Sequence, residues 1–403
     1  MKCLRKRGLT ILYVMFIFLL VNACSDKKAG MRETIEKGLE RATTLSLAMA
    51  QSLENDPGLL PKTFEEGELV TSDSKWWCSG FFPGTLWYLY ENNPTEELKK
   101  YAMEYTNRVE DQKYTTDNHD VGFMIYCSFG NGLRLLGTES YKEVIVEASK
   151  SLSTRYKEQP GLIRSWDWNT KEWQYPVIID NMMNLEMLMW AAKQTGESRF
   201  SEIAVNHADK TMKEHFRDDY SCYHVVDYDT LTGESRLKMT WQGYSDESSW
   251  ARGQAWALYG YSMMYRETGD TKYLEQAENI AQFIMNHPRL PEDKIPYWDF
   301  DAPAIPDEPR DASAAAIMAS AFIELSQQTK DEKLAKQCIE TAEKQIISLT
   351  SENYLAEPGT NGNFVLKHSV GAIPRGQEID VPLTYADYYY VEAMTRYKRL
   401  MNF

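Results

Sequence analysis

Long apolar segments alternate along the chain with amphipathic ones, and both have the spacing of α-helices. Six segments are rich in small and apolar residues nearly all round the helix; they begin at Gly80, Val121, Pro176, Gly253, Ser313 and Tyr385. Between them lie helices with a single charged face, such as those that begin at Ser140, Lys272 and Lys333. A helix that is apolar all round is buried, whereas a helix with a charged stripe faces water. Six helices of each kind predict an all-α fold, an (α/α)6 barrel with two concentric rings.

The first residues carry the pattern of an export signal. A basic stretch that starts at Lys2 precedes an apolar run over 9–20, which is too short for a membrane span. Small residues then lead to Cys24 and a polar stretch, as at the cleavage site of a bacterial lipoprotein. We predict a signal peptide over 1–23, lipidation of Cys24, a tether over 24–33 and one domain over 34–403. The expected location is the bacterial cell envelope, as a periplasmic or outer-membrane lipoprotein; a plain secretory signal is the alternative.

Composition and motifs exclude several classes of function. The net charge of -15 argues against a nucleic-acid partner, because phosphate binding needs a basic surface. The chain has no dinucleotide-binding, P-loop, zinc-protease or serine-hydrolase motif, and its cysteines lack metal-ligand spacing. We therefore predict no cofactor and no metal. Aromatic residues make up 12% of the chain, and such residues often line clefts that bind sugars.

Two carboxylates lie at the starts of predicted inner helices. Asp180 is surrounded in sequence by apolar residues, and Asn184 lies on the same helical face. Loss of hydration raises the pKa of a carboxyl group, which suits a general acid near neutral pH. Asp120 opens the preceding inner helix in the same way, so both groups should lie at one end of the ring. Such a pair is the usual equipment for acid/base chemistry on glycosides, although either residue could simply cap its helix.

Polar and aromatic residues concentrate before the fourth inner helix. Arg252 and Trp256 are four residues apart and share a face. An arginine can hold a carboxylate through two hydrogen bonds, and a tryptophan offers a flat surface to a sugar ring. The alternative for Arg252 is a salt bridge with Asp246 or Glu247. His224 could likewise be a structural residue.

Four motifs together resemble the unsaturated glucuronyl hydrolases of glycoside hydrolase family 88. They are Trp77–Phe81, His119–Phe123, Ile179–Asn184 and Ser249–Trp256, and they follow one another over essentially the whole mature chain. The resemblance implies an (α/α)6 barrel that acts on oligosaccharides left by polysaccharide lyases. These carry a 4,5-unsaturated uronic acid at the non-reducing end, which the family removes by hydrating the vinyl ether.

The resemblance also implies a role for individual residues. Asp180 would donate the proton and activate the water, and Asp120 would be its partner carboxylate. The remaining positions implied as substrate-binding are Trp77 and Trp256, stacking on sugars; His224, Gln242 and Arg252, contacting the uronate; Thr240, in the same loop; and Ser369, near a carboxylate or sulfate.

Other functions fit parts of the same pattern. A related rhamnogalacturonyl or galacturonyl hydrolase would act on pectin fragments with the same chemistry. An ordinary inverting glycosidase could use Asp120 and Asp180, and a surface lipoprotein could bind glycans without cleaving them. Lys367, His368 and Ser369 near the expected pocket favour a glycosaminoglycan fragment as substrate. The expected contact with a membrane is the lipid anchor alone.

Overall fold

Helices of two classes alternate along the chain in the computed structural model, which describes residues 28–403. The outer class has one charged face and comprises α1 (28–52), α3 (Glu96–Asn107), α5 (Glu139–Ser153), α7 (Ser198–Glu214), α9 (Thr271–Asn286) and α11 (Glu332–Leu349). The inner class is mostly buried and comprises α2 (Phe81–Asn92), α4 (Asn131–Leu136), α6 (Leu185–Thr195), α8 (Ala251–Thr268), α10 (Ala312–Gln328) and α12 (Thr384–Met401). In α10 all side chains from Ala312 to Leu325 are buried. Most of them are small, so neighbouring helices can approach closely.

The inner helices form a closed ring. α2 contacts α4, α6 contacts α8, α8 contacts α10, α10 contacts α12, and α12 packs back against α2. Between α4 and α6 the ring closes through the helical turns over Gly122–Gly130, which lead into α4 and pack against α6. Each of α3, α5, α7, α9 and α11 packs against the inner helix that precedes it. This arrangement confirms the predicted (α/α)6 barrel. Two inner helices begin irregularly: a π-helix at Gly122–Gly130 leads into α4, and a 3-10 helix at Ile179–Asn184 leads into α6.

The connections at the two ends of the ring differ in length. Two or three residues join each of α2, α4, α6, α8 and α10 to the outer helix that follows, and three of these turns use a left-handed glycine: Gly137, Gly196 and Gly269. The connections from outer to inner helices are long and contain every strand within 28–403. The N-terminal ends of all six inner helices therefore point toward the elaborated end.

The strands are short and antiparallel. β1 (Leu60–Glu65) pairs with β2 (Glu68–Ser72), β3 (Tyr156–Lys157) with β4 (Leu162–Ile163), and β8 (Ser369–Ala372) with β9 (Gln377–Val381). A three-stranded sheet has the order β5 (Pro176–Ile178), β6 (Val225–Tyr228) and β7 (Ser235–Met239). In this sheet Ile178 lies opposite Val225, which brings the start of the third inner helix beside residue 224.

The N-terminal boundary of the domain differs from the prediction. The sequence predicts a tether over 24–33, but residues 28–33 are helical and Met31 is 2% exposed, because the apolar face of α1 already begins there. The predicted signal peptide over 1–23 and Cys24 lie outside the described residues. No helix within 28–403 is both long and apolar enough to cross a bilayer.

Candidate active site

Asp180 lies where β5 ends, at the elaborated end of the ring. The backbone N–H of Ile179 donates to the carbonyl of His224 at 3.1 Å, which fixes the turn that carries the carboxyl group. Only 7% of Asp180 is exposed, and its Oδ2 has no hydrogen-bond partner among the described residues. The N-cap of this 3-10 helix is Ile178, with no side-chain cap. The helix-capping alternative for Asp180 is therefore wrong.

His224 presents a neutral N–H to this carboxyl group. Its Nδ1 accepts hydrogen bonds from the backbone N–H groups of Trp241 (3.0 Å) and Gln242 (3.2 Å). The proton of the neutral ring therefore lies on Nε2, which is 3.7 Å from Asp180 Oδ2. Burial, together with the charge of Arg252, holds the pKa of His224 well below its ordinary value. The ring thus stays a neutral donor across the physiological range.

Asp120 and Asp180 together hold one proton near neutral pH. Burial and then the charge of Asp180 raise the pKa of Asp120 to about 8, against the lowering effect of Arg155. Burial raises the pKa of Asp180 to about 6, although Arg252 and the indole of Trp256 favour its charged form. Two coupled carboxyl groups lose their protons in two steps that belong to the pair. At pH 7 the pair therefore holds one proton and one negative charge, as acid/base chemistry requires.

The segments that carry the two carboxylates contact each other directly, which fixes their relative position. Asn184 Oδ1 accepts a hydrogen bond from the backbone N–H of Phe123 at 3.0 Å. A Cβ on Gly122 would lie 2.7 Å from the Cα of Asn184, so this crossing needs glycine. His119 Nε2 lies 3.4 Å from Asp120 Oδ1. Burial lowers the pKa of His119 to about 3, so this histidine is also neutral.

Arg252 is fixed by four acceptors and is 2% exposed. Its Nη2 donates to Gln242 Oε1 (2.7 Å) and to the carbonyl of Gly371 (2.8 Å). Its Nη1 donates to the carbonyl of Val370 and lies 3.4 Å from Asp311 Oδ2. The alternative of a salt bridge with Asp246 or Glu247 is wrong. The buried ion partner is Asp311, which comes from the start of α10.

Thr240 and Ser369 take different places around this arginine. Thr240 Oγ1 accepts from the backbone N–H of Gly243 at 2.8 Å, so this hydroxyl shapes the loop that carries Gln242. Ser369 lies in β8 beside the carbonyl that binds Arg252. It is fully buried, and its Oγ has no partner among the described residues. Ser369 is thus an available donor beside the fixed cation.

The comparison with known families decides the identity. The model for Glycosyl Hydrolase Family 88 matches residues 58–400. The chain belongs to this family. It is 44% identical to the unsaturated glucuronyl hydrolase of Formosa agariphila, over 99% of this chain and all of that protein. It is 33% identical to the unsaturated chondroitin disaccharide hydrolase of Streptococcus agalactiae, over 92% of each chain.

The fold of this family 88 chain also matches solved structures. A crystal structure of an unsaturated glucuronyl hydrolase specific for heparin superimposes with a TM-score of 0.89 at 46% identity. The match covers 92% of this chain and 98% of that one. The predicted family and the predicted enzyme class are confirmed.

The two tryptophans predicted to stack on sugars differ in exposure. Trp77 is half-buried, and its ring centroid lies 4.9 Å from that of Tyr385. Trp256 is fully buried between Phe123 (5.2 Å) and Tyr389 (5.4 Å). Trp77 therefore keeps ring surface for a ligand. Trp256 has no exposed ring surface and instead packs beside Asp180.

Several residues near this site were not predicted from the sequence. Glu378 of β9 lies 3.4 Å from Lys62, and burial raises the pKa of this carboxyl group despite the charges of Lys62 and Arg252. Nothing in its local sequence marks it, because strands distant in sequence bring it to the pocket. A cluster of four tryptophans was also missed: Trp166, Trp168, Trp173 and Trp241. The first three fall within eight residues of the sequence. That spacing was a usable signal.

No cluster of three or more metal-ligating side chains occurs within 28–403. The cysteines of this range, Cys78, Cys127, Cys222 and Cys338, are free thiols. Burial raises the pKa of each, so none is an activated nucleophile.

Proposed function

We propose that this protein removes the 4,5-unsaturated uronic acid from the non-reducing end of lyase-generated oligosaccharides derived from glycosaminoglycans. The observation that supports this most directly is the pair of the half-buried Asp120 and the buried Asp180, which holds one proton at neutral pH. Protonation of an alkene carbon needs a carboxylic acid that is still protonated at the working pH. Membership of Glycosyl Hydrolase Family 88 and the similarity to unsaturated glucuronyl and chondroitin disaccharide hydrolases also support this activity.

The reaction consumes one water and balances as follows. The one proton that the pair holds is delivered to C4 of the uronate through Asp180, and positive charge develops at C5 and the ring oxygen. Both carboxyl groups are then ionised, and Asp120 stabilises that charge. Water adds at C5 and returns a proton to Asp180, which restores the acid. The resulting hemiketal opens to a ketone, and the hemiacetal left at C1 releases the remaining saccharide with a free hydroxyl group.

The carboxylate of the uronate faces a fixed cation in this proposal. Arg252 is held by Gln242 and by the β8 backbone, so its charge does not need to reorganise when substrate binds. Ser369 Oγ, buried without a partner, supplies a hydrogen-bond donor on the same side. Buried donors of this kind give specificity, because a ligand that lacks the acceptor leaves them unpaired.

Ultraviolet absorbance of the conjugated double bond tests the proposal. Purified protein is incubated with unsaturated disaccharides from chondroitin, heparin, hyaluronan and pectin. Loss of absorbance with a glycosaminoglycan disaccharide is the expected result. Loss with pectin fragments alone would assign the galacturonyl chemistry instead. Persistent absorbance with release of sugar would indicate an ordinary glycosidase. Persistent absorbance without release would indicate a glycan-binding protein.

We further propose that Cys24 carries a lipid anchor that holds the enzyme on the cell envelope. The support is the sequence alone: the basic start, the apolar run over 9–20 and the small residues before Cys24. Expressed in a bacterial host, the wild type should sediment with membranes and Cys24→Ser should not. An unchanged distribution of Cys24→Ser would refute the anchor.

A further inference from the structure

Four indole rings form one cluster at the elaborated end of the ring. Trp168 stacks on Trp166 with centroids 5.0 Å apart and an interplanar angle of 15°. Trp173 lies 5.1 Å from Trp166 and 5.0 Å from Trp168. Trp241 completes the group, 5.1 Å from Trp168 and 4.9 Å from Trp173. Every ring therefore contacts at least two others.

Backbone hydrogen bonds connect the cluster to the segments next to both carboxylates. On one side, Trp166 follows Ser165, whose carbonyl accepts the N–H of His119, the neighbour of Asp120. On the other side, the backbone N–H of Trp241 donates to His224 Nδ1, and His224 Nε2 faces Asp180. The indole cluster thus adjoins the segments that carry both carboxylates.

Only one of the four rings keeps a broad open face. Trp173 is fully buried, Trp166 is 9% exposed, and the guanidinium of Arg375 lies over the ring of Trp241. Trp168 is 46% exposed.

The loop that carries Trp168 is nevertheless fixed. Asp167 pairs with Arg155 at 3.0 Å and with Arg164 at 3.1 Å. The backbone N–H of Trp173 donates to the carbonyl of Asn169 at 3.1 Å. A large apolar ring held rigid with one face in water is what a stacking platform requires.

We propose that the open face of Trp168 binds the second sugar on the leaving side of the scissile bond. In this proposal the uronate lies at the two carboxylates and His224, and the first leaving sugar lies between them and Trp168. The next pyranose then reaches the ring of Trp168, which lies beyond Trp241. The ligand is a pyranose with an apolar C–H face, part of an unsaturated chain longer than a disaccharide. This inference rests on the proposed hydrolase activity.

The test compares kcat/KM for an unsaturated disaccharide and an unsaturated tetrasaccharide of the same polymer, followed by loss of ultraviolet absorbance. Wild type should favour the tetrasaccharide. Trp168→Ala should lose roughly three- to tenfold on the tetrasaccharide, the range for one aromatic contact, and keep the disaccharide rate within about twofold. Trp168→Phe should retain most of the preference. Tyr114→Ala, which removes an aromatic ring 62% exposed outside the cluster, is the matched control.

An unchanged ratio of the two rates in Trp168→Ala, or a wild type without preference for the tetrasaccharide, would overturn the subsite. A proportional loss on both substrates would also overturn it, because it would mean a general effect on the active site. If Trp168→Ala does not fold, a preference in Trp168→Phe equal to wild type supports the platform and a lost preference opposes it. Failure of the hydrolase proposal would appear separately, as no absorbance change with the disaccharide.

Discussion

Asp180 combines two properties that an exposed carboxyl group lacks. Its Oδ2 is buried without a hydrogen-bond partner among the described residues, so little stabilises a negative charge there. Its neighbour His224 is a neutral donor, because two backbone N–H groups occupy Nδ1. The proton is thus retained at a pH where an exposed aspartate has lost it. The apolar residues around Asp180 in the sequence were a valid signal for this.

Substitution of Asp180 by asparagine removes the transferable proton and preserves the shape of the side chain. We expect kcat to fall by roughly 10²- to 10⁴-fold, the usual range for a general acid or base. Substrate affinity, measured by calorimetry or by tryptophan fluorescence, should change little. A melting temperature close to that of wild type would show that the fold is intact. Near-normal turnover would remove Asp180 from the mechanism.

The pH dependence of kcat/KM should be bell-shaped. Below about pH 6 both carboxyl groups are protonated, and the carboxylate that stabilises charge is lost. Above about pH 8 both are ionised, and the transferable proton is lost. Since kcat/KM reports the free enzyme, the limbs should follow these two apparent pKa values. Constant activity from pH 5 to pH 9 would contradict a shared proton.

Some properties of these residues could not be predicted from local sequence. The tautomer of His224 depends on the backbone of Trp241, and the charge partner of Arg252 is Asp311, 59 positions away. Glu378 reaches the pocket through strand pairing between β8 and β9. Each feature is set by contacts between distant segments, so a local pattern contains no signal for it.

The two irregular helix starts explain how the carboxylates meet. The π-helix at Gly122–Gly130 and the 3-10 helix at Ile179–Asn184 cross at Gly122 and Asn184. Hydrophobic periodicity predicted both segments as plain inner helices, which is right for their burial and wrong for their winding. The winding adapts to the crossing, whose contacts join residues about sixty positions apart. The strands were missed for a second reason, since segments of two to six residues show no clear alternation.

Gly122→Ala tests the crossing. Its Cβ would lie 2.7 Å from the Cα of Asn184, so the two segments must separate. A misplacement of this size between catalytic groups should lower kcat/KM by roughly tenfold or more, with a loss of stability of about 1–3 kcal/mol. Gly30→Ala is the matched control, because an added Cβ in that helix meets nothing within 4 Å. Wild-type kinetics in Gly122→Ala would show that the crossing does not set the geometry.

At the scale of the whole molecule, a network around Glu392 ties the inner ring together. Glu392 is 2% exposed and accepts from Tyr88 of α2 (2.8 Å), Tyr259 of α8 (3.0 Å) and Ser320 of α10 (2.6 Å). Arg396 balances its charge at 3.2 Å. This network borders a cavity of about 760 Å³, whose lining extends from Gly122 and Met183 to Arg399. One carboxylate thus connects four of the six inner helices.

Glu392→Ala should destabilise the fold by about 3–5 kcal/mol, because it leaves three buried hydroxyl groups without their acceptor and removes one of the two carboxylates that pair with Arg396. Urea unfolding monitored by circular dichroism measures the loss. Activity at a permissive temperature should survive, since Glu392 lies about two turns along α12 from the end of the ring that carries the carboxylates. Glu340→Ala, on an exposed part of α11, should change stability by less than about 0.5 kcal/mol. Equal stability for the two variants would exclude a role for the network.

The unequal connections at the two ends of the barrel have an evolutionary consequence. Turns of two or three residues, several of them closed by glycine, leave little room for insertions at the plain end. The long connections at the other end hold the strands, the Trp168 loop and the hairpin that fixes Arg252, and loops of this kind accept changes of length and sequence. Relatives can therefore diverge in the sugars they select by rewriting these connections. The ring and its proton-sharing carboxylates then remain the inherited part of the enzyme.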